Sequence, residues 1–120
     1  MTKTTLVLGA SDKPSRYSFL AARNLKKHGH NIILLGIRAG QVEDETIRTD
    51  RPVLADVDTV TLYINPTHQK DWYDYILNLN PRRIIFNPGT ENPEFVRLAK
   101  EKGIDCVEAC TLVMLSIGNY

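Results

Sequence analysis

The sequence predicts an α/β fold: a doubly wound, parallel five-stranded sheet with helices on both faces, in three layers. Two observations predict it. Short apolar runs alternate with segments of helical period, the signature of successive βα units. The 120 residues, 42% hydrophobic and 24% charged, suit one domain (1–120) that buries about two thirds of its unfolded surface. Because βαβ crossovers are right-handed in nearly all cases, the expected strand order is 3-2-1-4-5.

Each element has its own signal. Thr4-Thr5-Leu6-Val7-Leu8 is the first strand. Tyr17, Leu20, Ala21, Leu25 and His28 then fall on one helical stripe, and Gly29 stops the helix. Asn31-Ile32-Ile33-Leu34-Leu35 is the second strand. From Gly36 to Asp56 there is no long helix. The Ala39-Gly40 turn signal, the acidic Glu43-Asp44-Glu45 and the extended Thr46-Ile47-Arg48-Thr49 predict a small hairpin or ligand-facing flap, since a structureless connector of this length is unusual. Thr59 to Ile64 is the third strand. Asn65-Pro66-Thr67 opens a helix with Trp72, Tyr75, Ile76 and Leu79 on its stripe, and Arg83-Ile84-Ile85-Phe86 is the fourth strand. At Asn92-Pro93 the Asn caps orphan N–H groups, while Pro at the first helical position gives up an N–H that had no partner. Phe95, Leu98 and Ala99 form the buried stripe of that helix, and Gly103 ends it. Ile104-Asp105-Cys106-Val107 is the fifth strand, and Thr111 to Ile117 a nearly all-apolar last helix.

Composition excludes several classes. A net charge of +1 offers no basic field to recruit nucleic acid or an anionic membrane, so a bound anion must be held by local groups. No apolar run approaches the roughly 20 residues of a spanning helix. The segment from Met1 to Gly9 turns polar too soon for a signal peptide, and a cytoplasmic location is expected. Cys106 and Cys110 are too few for a disulfide framework, and His28, His30 and His68 show no metal-ligand spacing.

In a doubly wound sheet, ligands bind outside the carboxyl ends of the strands, where the strand order reverses. The predicted order puts that crevice between the first and fourth strands, bordered by the loops 9–17 and 87–92. The first loop has the parts of a phosphate site: Gly9 permits close backbone approach, Ser11 offers a hydroxyl, and the following helix presents unpaired N–H groups. Lys13 and Arg16 add cations. The same residues also read as a plain turn with Ser15 as helix cap and solvated surface charges. A dinucleotide Gly-x-Gly-x-x-Gly signature is absent, since no further glycine follows until Gly29.

Gly36-Ile37-Arg38 ends the second strand without the carboxylate expected for an unphosphorylated NAD ribose. Arg38 suits a phosphorylated ribose, as in NADP or coenzyme A, or is a surface charge. Tyr63-Ile64-Asn65-Pro66 and Asn87-Pro88-Gly89-Thr90 are two similar turns on the same rim. Cys110 stands at the start of the last helix, where a thiol pKa can be lowered, but no His or Asp lies near it in sequence.

Taken together, Val7-Leu8-Gly9-Ala10-Ser11, Arg16-Tyr17-Ser18, His28-Gly29-His30, Leu62-Tyr63-Ile64-Asn65-Pro66, Asn87-Pro88-Gly89-Thr90-Glu91-Asn92 and Ala109-Cys110-Thr111-Leu112 resemble the small stand-alone coenzyme A-binding domain proteins. These are Rossmann-like relatives of the nucleotide-binding domain of succinyl-CoA synthetase. The resemblance covers nearly the whole chain. It implies that coenzyme A, an acyl-CoA or a similar adenine nucleotide lies across the switch point. Its phosphates would meet Gly9, Ala10, Ser11, Lys13 and Arg16, with Tyr17 beside them. Its adenosine end would lie near Gly36 and Arg38, and its pantetheine arm would pass Ile64, Asn65 and Pro66 toward Gly89 and Thr90, with Cys110 on the same rim. Many members carry a Val-Asn-Pro-like turn after the second strand, where this chain has Leu35-Gly36-Ile37-Arg38. The synthetases also use a phosphohistidine from a separate domain, so ligase activity is not implied.

The expectation is therefore a binding module without catalysis or metal. Two alternatives stay open: a small NADP- or thiol-dependent enzyme using Cys110, and a nucleotide-sensing interaction domain. The latter would form a homodimer through its last helix, at Leu112, Met114 or Leu115.

Overall fold

The computed structural model describes residues 3–120; Met1 and Thr2, where the segment read for a signal peptide begins, lie outside the described residues. In chain order the elements are β1 (Thr5–Leu8), α1 (Tyr17–Lys27), β2 (Ile32–Leu35), β3 (Gly40–Val42), β4 (Glu45–Arg48), β5 (Thr59–Leu62), α2 (Pro66–Gln69), a 3₁₀ turn (Lys70–Trp72), α3 (Tyr73–Leu79), β6 (Arg83–Phe86), α4 (Pro93–Glu101), β7 (Asp105–Glu108) and α5 (Thr111–Ser116). No helix among the described residues is long and apolar enough to cross a membrane.

The strands form one sheet in the order β3-β4-β2-β1-β5-β6-β7. Two expectations are corrected by it. There are seven strands rather than five, because the 36–56 connector forms the β3–β4 hairpin, turning at Glu43 with φ 55°. This is the hairpin the sequence suggests, and it extends the sheet. The order also differs. β4 takes the outer edge of β2 in parallel, with Leu34 opposite Ile47 and Leu35 opposite Arg48, so no edge is left there for the next strand. The third predicted strand, β5, therefore pairs with the other edge of β1, with Thr5 opposite Thr59 and Leu8 opposite Leu62. β6 and β7 follow in parallel.

Strand alternation builds two cores. Leu6, Leu8, Val60, Leu62, Ile84 and Phe86 point to the α3/α4 side, where they meet Ile76, Leu77, Phe95 and Ala99. Val7, Ile32, Leu34 and Ile47 point to the other side, where they meet Ala22 and Leu25 of α1 and Leu115 of α5. The buried face of α1 is Ser18, Ala21, Ala22 and Leu25, shifted from the predicted stripe; Tyr17 is 71% exposed. Small residues win that face because they let the helix sit close to the sheet. The predicted helix after β5 is divided into α2, the 3₁₀ turn and α3. Asn65 and Asn92 cap α2 and α4 as expected, accepting from the amides of His68 and Phe95. α1 begins after Arg16 without a side-chain cap, so Ser15 is not its cap.

The acidic run in the connector is not free in solvent. Glu43 pairs with Arg23, and Asp44 and Glu45 pair with Lys26, fastening the hairpin to α1. α5 packs on its own sheet through Met114 and Leu115, which are buried, whereas Val113 and Ile117 are exposed. Making Met114 or Leu115 polar would thus strike the core.

At the amino edge of the sheet, His30 Nδ1 accepts the Lys3 amide at 3.0 Å. Burial, reinforced by the Lys3 charge, holds the imidazole below its ordinary range. A depressed folded-state pKa gives stability that is fully present above the unfolded value of about 6.5 and is lost as pH falls through the folded value. The melting temperature should therefore decline as pH drops below about 6.5, and His30→Gln should flatten that decline in a thermal-melt series between about pH 7.5 and 5.

Candidate functional site

The sheet order moves the switch point. The reversal lies between β1 and β5, not between β1 and the fourth predicted strand, so the loop after β5 stands directly against the loop after β1. Their contact is intimate. Gly9 has φ +94°, and a Cβ placed on it would lie 2.8 Å from the Tyr63 carbonyl oxygen and 2.9 Å from Ile64 Cγ2. On the other flank, a Cβ on Gly36 would lie 2.5 Å from the Ala10 carbonyl oxygen. Gly9, Ala10, Gly36 and Ile64 thus form one continuous stretch of rim.

The amides of Gly9 and Ala10 both donate to Leu35 O, each at 2.9 Å. They fix the loop and keep no free donor for an anion. The groups that remain available stand further along: Ser11, whose hydroxyl accepts the Lys13 amide at 3.1 Å, and the uncapped start of α1. The side chains of Lys13, Arg16 and Tyr17 are exposed there, as is Arg38 in the loop after β2. Among the described residues, neither Lys13, Arg16 nor Arg38 has a carboxylate within 4.0 Å. The acidic residues that follow Arg38 in sequence, Glu43 to Glu45, are held by α1 instead.

Two buried amides organise the rest of the rim: Asn87, in a turn the sequence places there, and Gln69, which the sequence does not mark. Asn87, 2% exposed, donates to Thr61 Oγ1 at 2.7 Å and to Leu62 O at 2.8 Å, and it accepts the Thr111 amide at 2.9 Å. It binds the ends of β5 and β6 to the first residue of α5. Gln69, fully buried, donates from Nε2 to Ile64 O at 2.9 Å and to Thr90 O at 2.8 Å. Its Oε1 accepts from Asn92 Nδ2 at 2.9 Å. Asn65 and Gly89 are exposed at the loop tips, whereas Thr90 is buried, its hydroxyl donating to Asn87 O. A glutamine reads as surface in a sequence. Only the pairing with the Asn92 cap, 23 residues away, could have marked it.

Cys110 is half-buried at the start of α5 and makes no cap hydrogen bond. Burial, with Cys110 close by, pushes the neighbouring Tyr63 hydroxyl well above its ordinary range, so that phenol is a neutral group. Cys106 packs against the α3/α4 core, and burial raises its thiol. Grooves of about 590 and 640 Å³ lie elsewhere, between α1 and the hairpin turn and between α4 and Glu108 of β7.

Fold and rim together define a class: a doubly wound α/β protein whose switch point presents unpaired cations. The chain belongs to the CoA binding domain family, whose model matches residues 3–116. It is similar to the crystal structure of an uncharacterized protein at 53% identity and TM-score 0.98, over 100% of this chain and 99% of that one. A Thermus thermophilus structure, cell-free ID.343, is 25% identical with TM-score 0.85, over 99% of this chain and 91% of that one. A hypothetical protein from Pyrococcus horikoshii OT3 shares the fold at 19% identity and TM-score 0.87, over 97% and 83% of the two chains. No curated protein matches.

Proposed function

We propose that this chain is a non-catalytic module that binds coenzyme A, or an acyl-CoA, across the β1/β5 switch point. The observation that carries the reading is the set of unpaired cations, Lys13 and Arg16 on the loop after β1 that borders that point and Arg38 on the adjoining loop after β2, in a member of the CoA binding domain family. Ser11 and the first amides of α1 supply donors for the diphosphate, and Gly9 and Ala10 set the loop that aims them. Arg38, beside Gly36, meets the ribose 3′-phosphate, and Tyr17 flanks the diphosphate. The pantetheine arm runs past Ile64, Asn65 and Pro66 toward Gly89 and Thr90, with Cys110 at its far end. No hydrogen bond joins Cys110 to a base among the described residues, which favours binding over thiol catalysis.

Coenzyme A at 100 times its dissociation constant should stabilise the fold by about 2.7 kcal/mol. A thermal melt that does not move at saturating coenzyme A would remove the reading. Dephospho-CoA lacks the 3′-phosphate and should bind about tenfold more weakly, a difference that Arg38→Ala should erase in calorimetric titrations.

A further inference from the structure

Gln69 is a fully buried polar side chain on a four-residue helix, and every strong hydrogen-bonding position of its amide is assigned by its surroundings. Asn92 must offer Oδ1 to the Phe95 amide as the cap of α4, so its Nδ2 faces inward and donates to both Gln69 Oε1 and the Tyr73 hydroxyl. That fixes the orientation of the Gln69 amide. Nε2 then points the other way and spends both protons, one on Ile64 O in the loop after β5 and one on Thr90 O in the loop after β6. With no donor left over, Gln69 cannot hold a ligand itself. What it does is set the distance between two loops.

We propose that Gln69 is a positioning residue that fixes the spacing of the Ile64-Asn65-Pro66 and Gly89-Thr90 loops, and through it the share of affinity that comes from a ligand's pantetheine arm. The inference rests on the coenzyme A reading of the rim. One NH₂ group ties the two loops together, and a looser tie would let them separate along the path of the arm. Lys13 and Arg16 stand on the loop after β1, and neither is a partner of Gln69, whose bonds run to the loops after β5 and β6.

The test compares coenzyme A with adenosine 3′,5′-bisphosphate, which lacks the pantetheine arm, by calorimetric titration of the intact chain. Gln69→Glu keeps the shape but faces an acceptor toward two carbonyl oxygens. Asn92→Asp keeps the α4 cap and removes the donor to Gln69. Each should weaken coenzyme A about tenfold while leaving the bisphosphate within about twofold, and the double variant should lose little more than either alone. Gln69→Glu should also regain coenzyme A affinity toward acid pH, as the carboxyl takes up a proton and can donate again. Equal losses for both ligands, or none for coenzyme A, would overturn the assignment. If the unaltered chain bound neither ligand, the coenzyme A reading itself would fall. That result appears before any substitution is made, so the two failures are distinguishable.

Discussion

Gly9→Ala is expected to cost about 3 kcal/mol of stability or to prevent folding. Two effects add. The left-handed φ of +94° costs a non-glycine residue about 1–2 kcal/mol, and the new methyl meets the Tyr63 backbone as well as the stiff, β-branched Ile64 side chain, worth about 1–3 kcal/mol more. The atoms in its way, Tyr63 O and Ile64 Cγ2, belong to the loop on the far side of the switch point. Relief of the clash would therefore widen the rim where ligand binding is proposed. Gly29→Ala is the matched control, because its φ is +85° but nothing lies within 4 Å of the added carbon. It should lose only the backbone share, about 1 kcal/mol. Urea midpoints of the two variants measure the difference, and equal losses would mean that crowding at β1/β5 contributes nothing.

Asn87→Leu should be nearly as damaging, at about 3 kcal/mol. The substitution preserves bulk but strands Leu62 O and the Thr111 amide in a buried setting, and each unsatisfied group costs about 1–3 kcal/mol. Thr61 and Thr111 keep their mutual hydroxyl bond at 2.8 Å, so the loss is not total. A local signature should accompany it. Amide exchange at Met114, whose N–H donates to Cys110 O, should accelerate before exchange in β1 does, because Asn87 is what anchors the start of α5 to the sheet. Uniform acceleration across both elements would show that Asn87 supports the fold generally rather than this junction.

Much of the fold was legible in residues. Apolar runs locate five of the seven strands, and Asn65-Pro66, Asn92-Pro93, Gly29 and Gly103 mark helix boundaries through capping chemistry and the left-handed backbone. Strand order was not legible, because it depends on a competition between two edges. The run Thr46 to Thr49 reads as extended, yet nothing local says that it will pair with β2 and force β5 to the other side of β1. The stripe of α1 failed for a related reason: hydrophobicity favours Leu20 and Tyr17, whereas close approach to the sheet favours Ser18 and Ala22. At the rim, Gly9, Ser11, Lys13, Arg16 and Arg38 could be picked out by type. Asn87 could be placed on the rim but not recognised as buried, and Gln69 could not be picked out at all, since a buried amide announces itself only through partners brought together by the finished fold.

The most direct test of the account is a titration of coenzyme A into isotopically labelled protein, followed by amide chemical shifts. Saturable changes are predicted at Ser11 to Ser18, Ile37 and Arg38, Ile64 to Thr67, and Gly89 and Thr90, on the loops at the carboxyl ends of β1, β2, β5 and β6. Shifts confined to the groove between α1 and the β3–β4 turn, or no shifts at millimolar ligand, would contradict it.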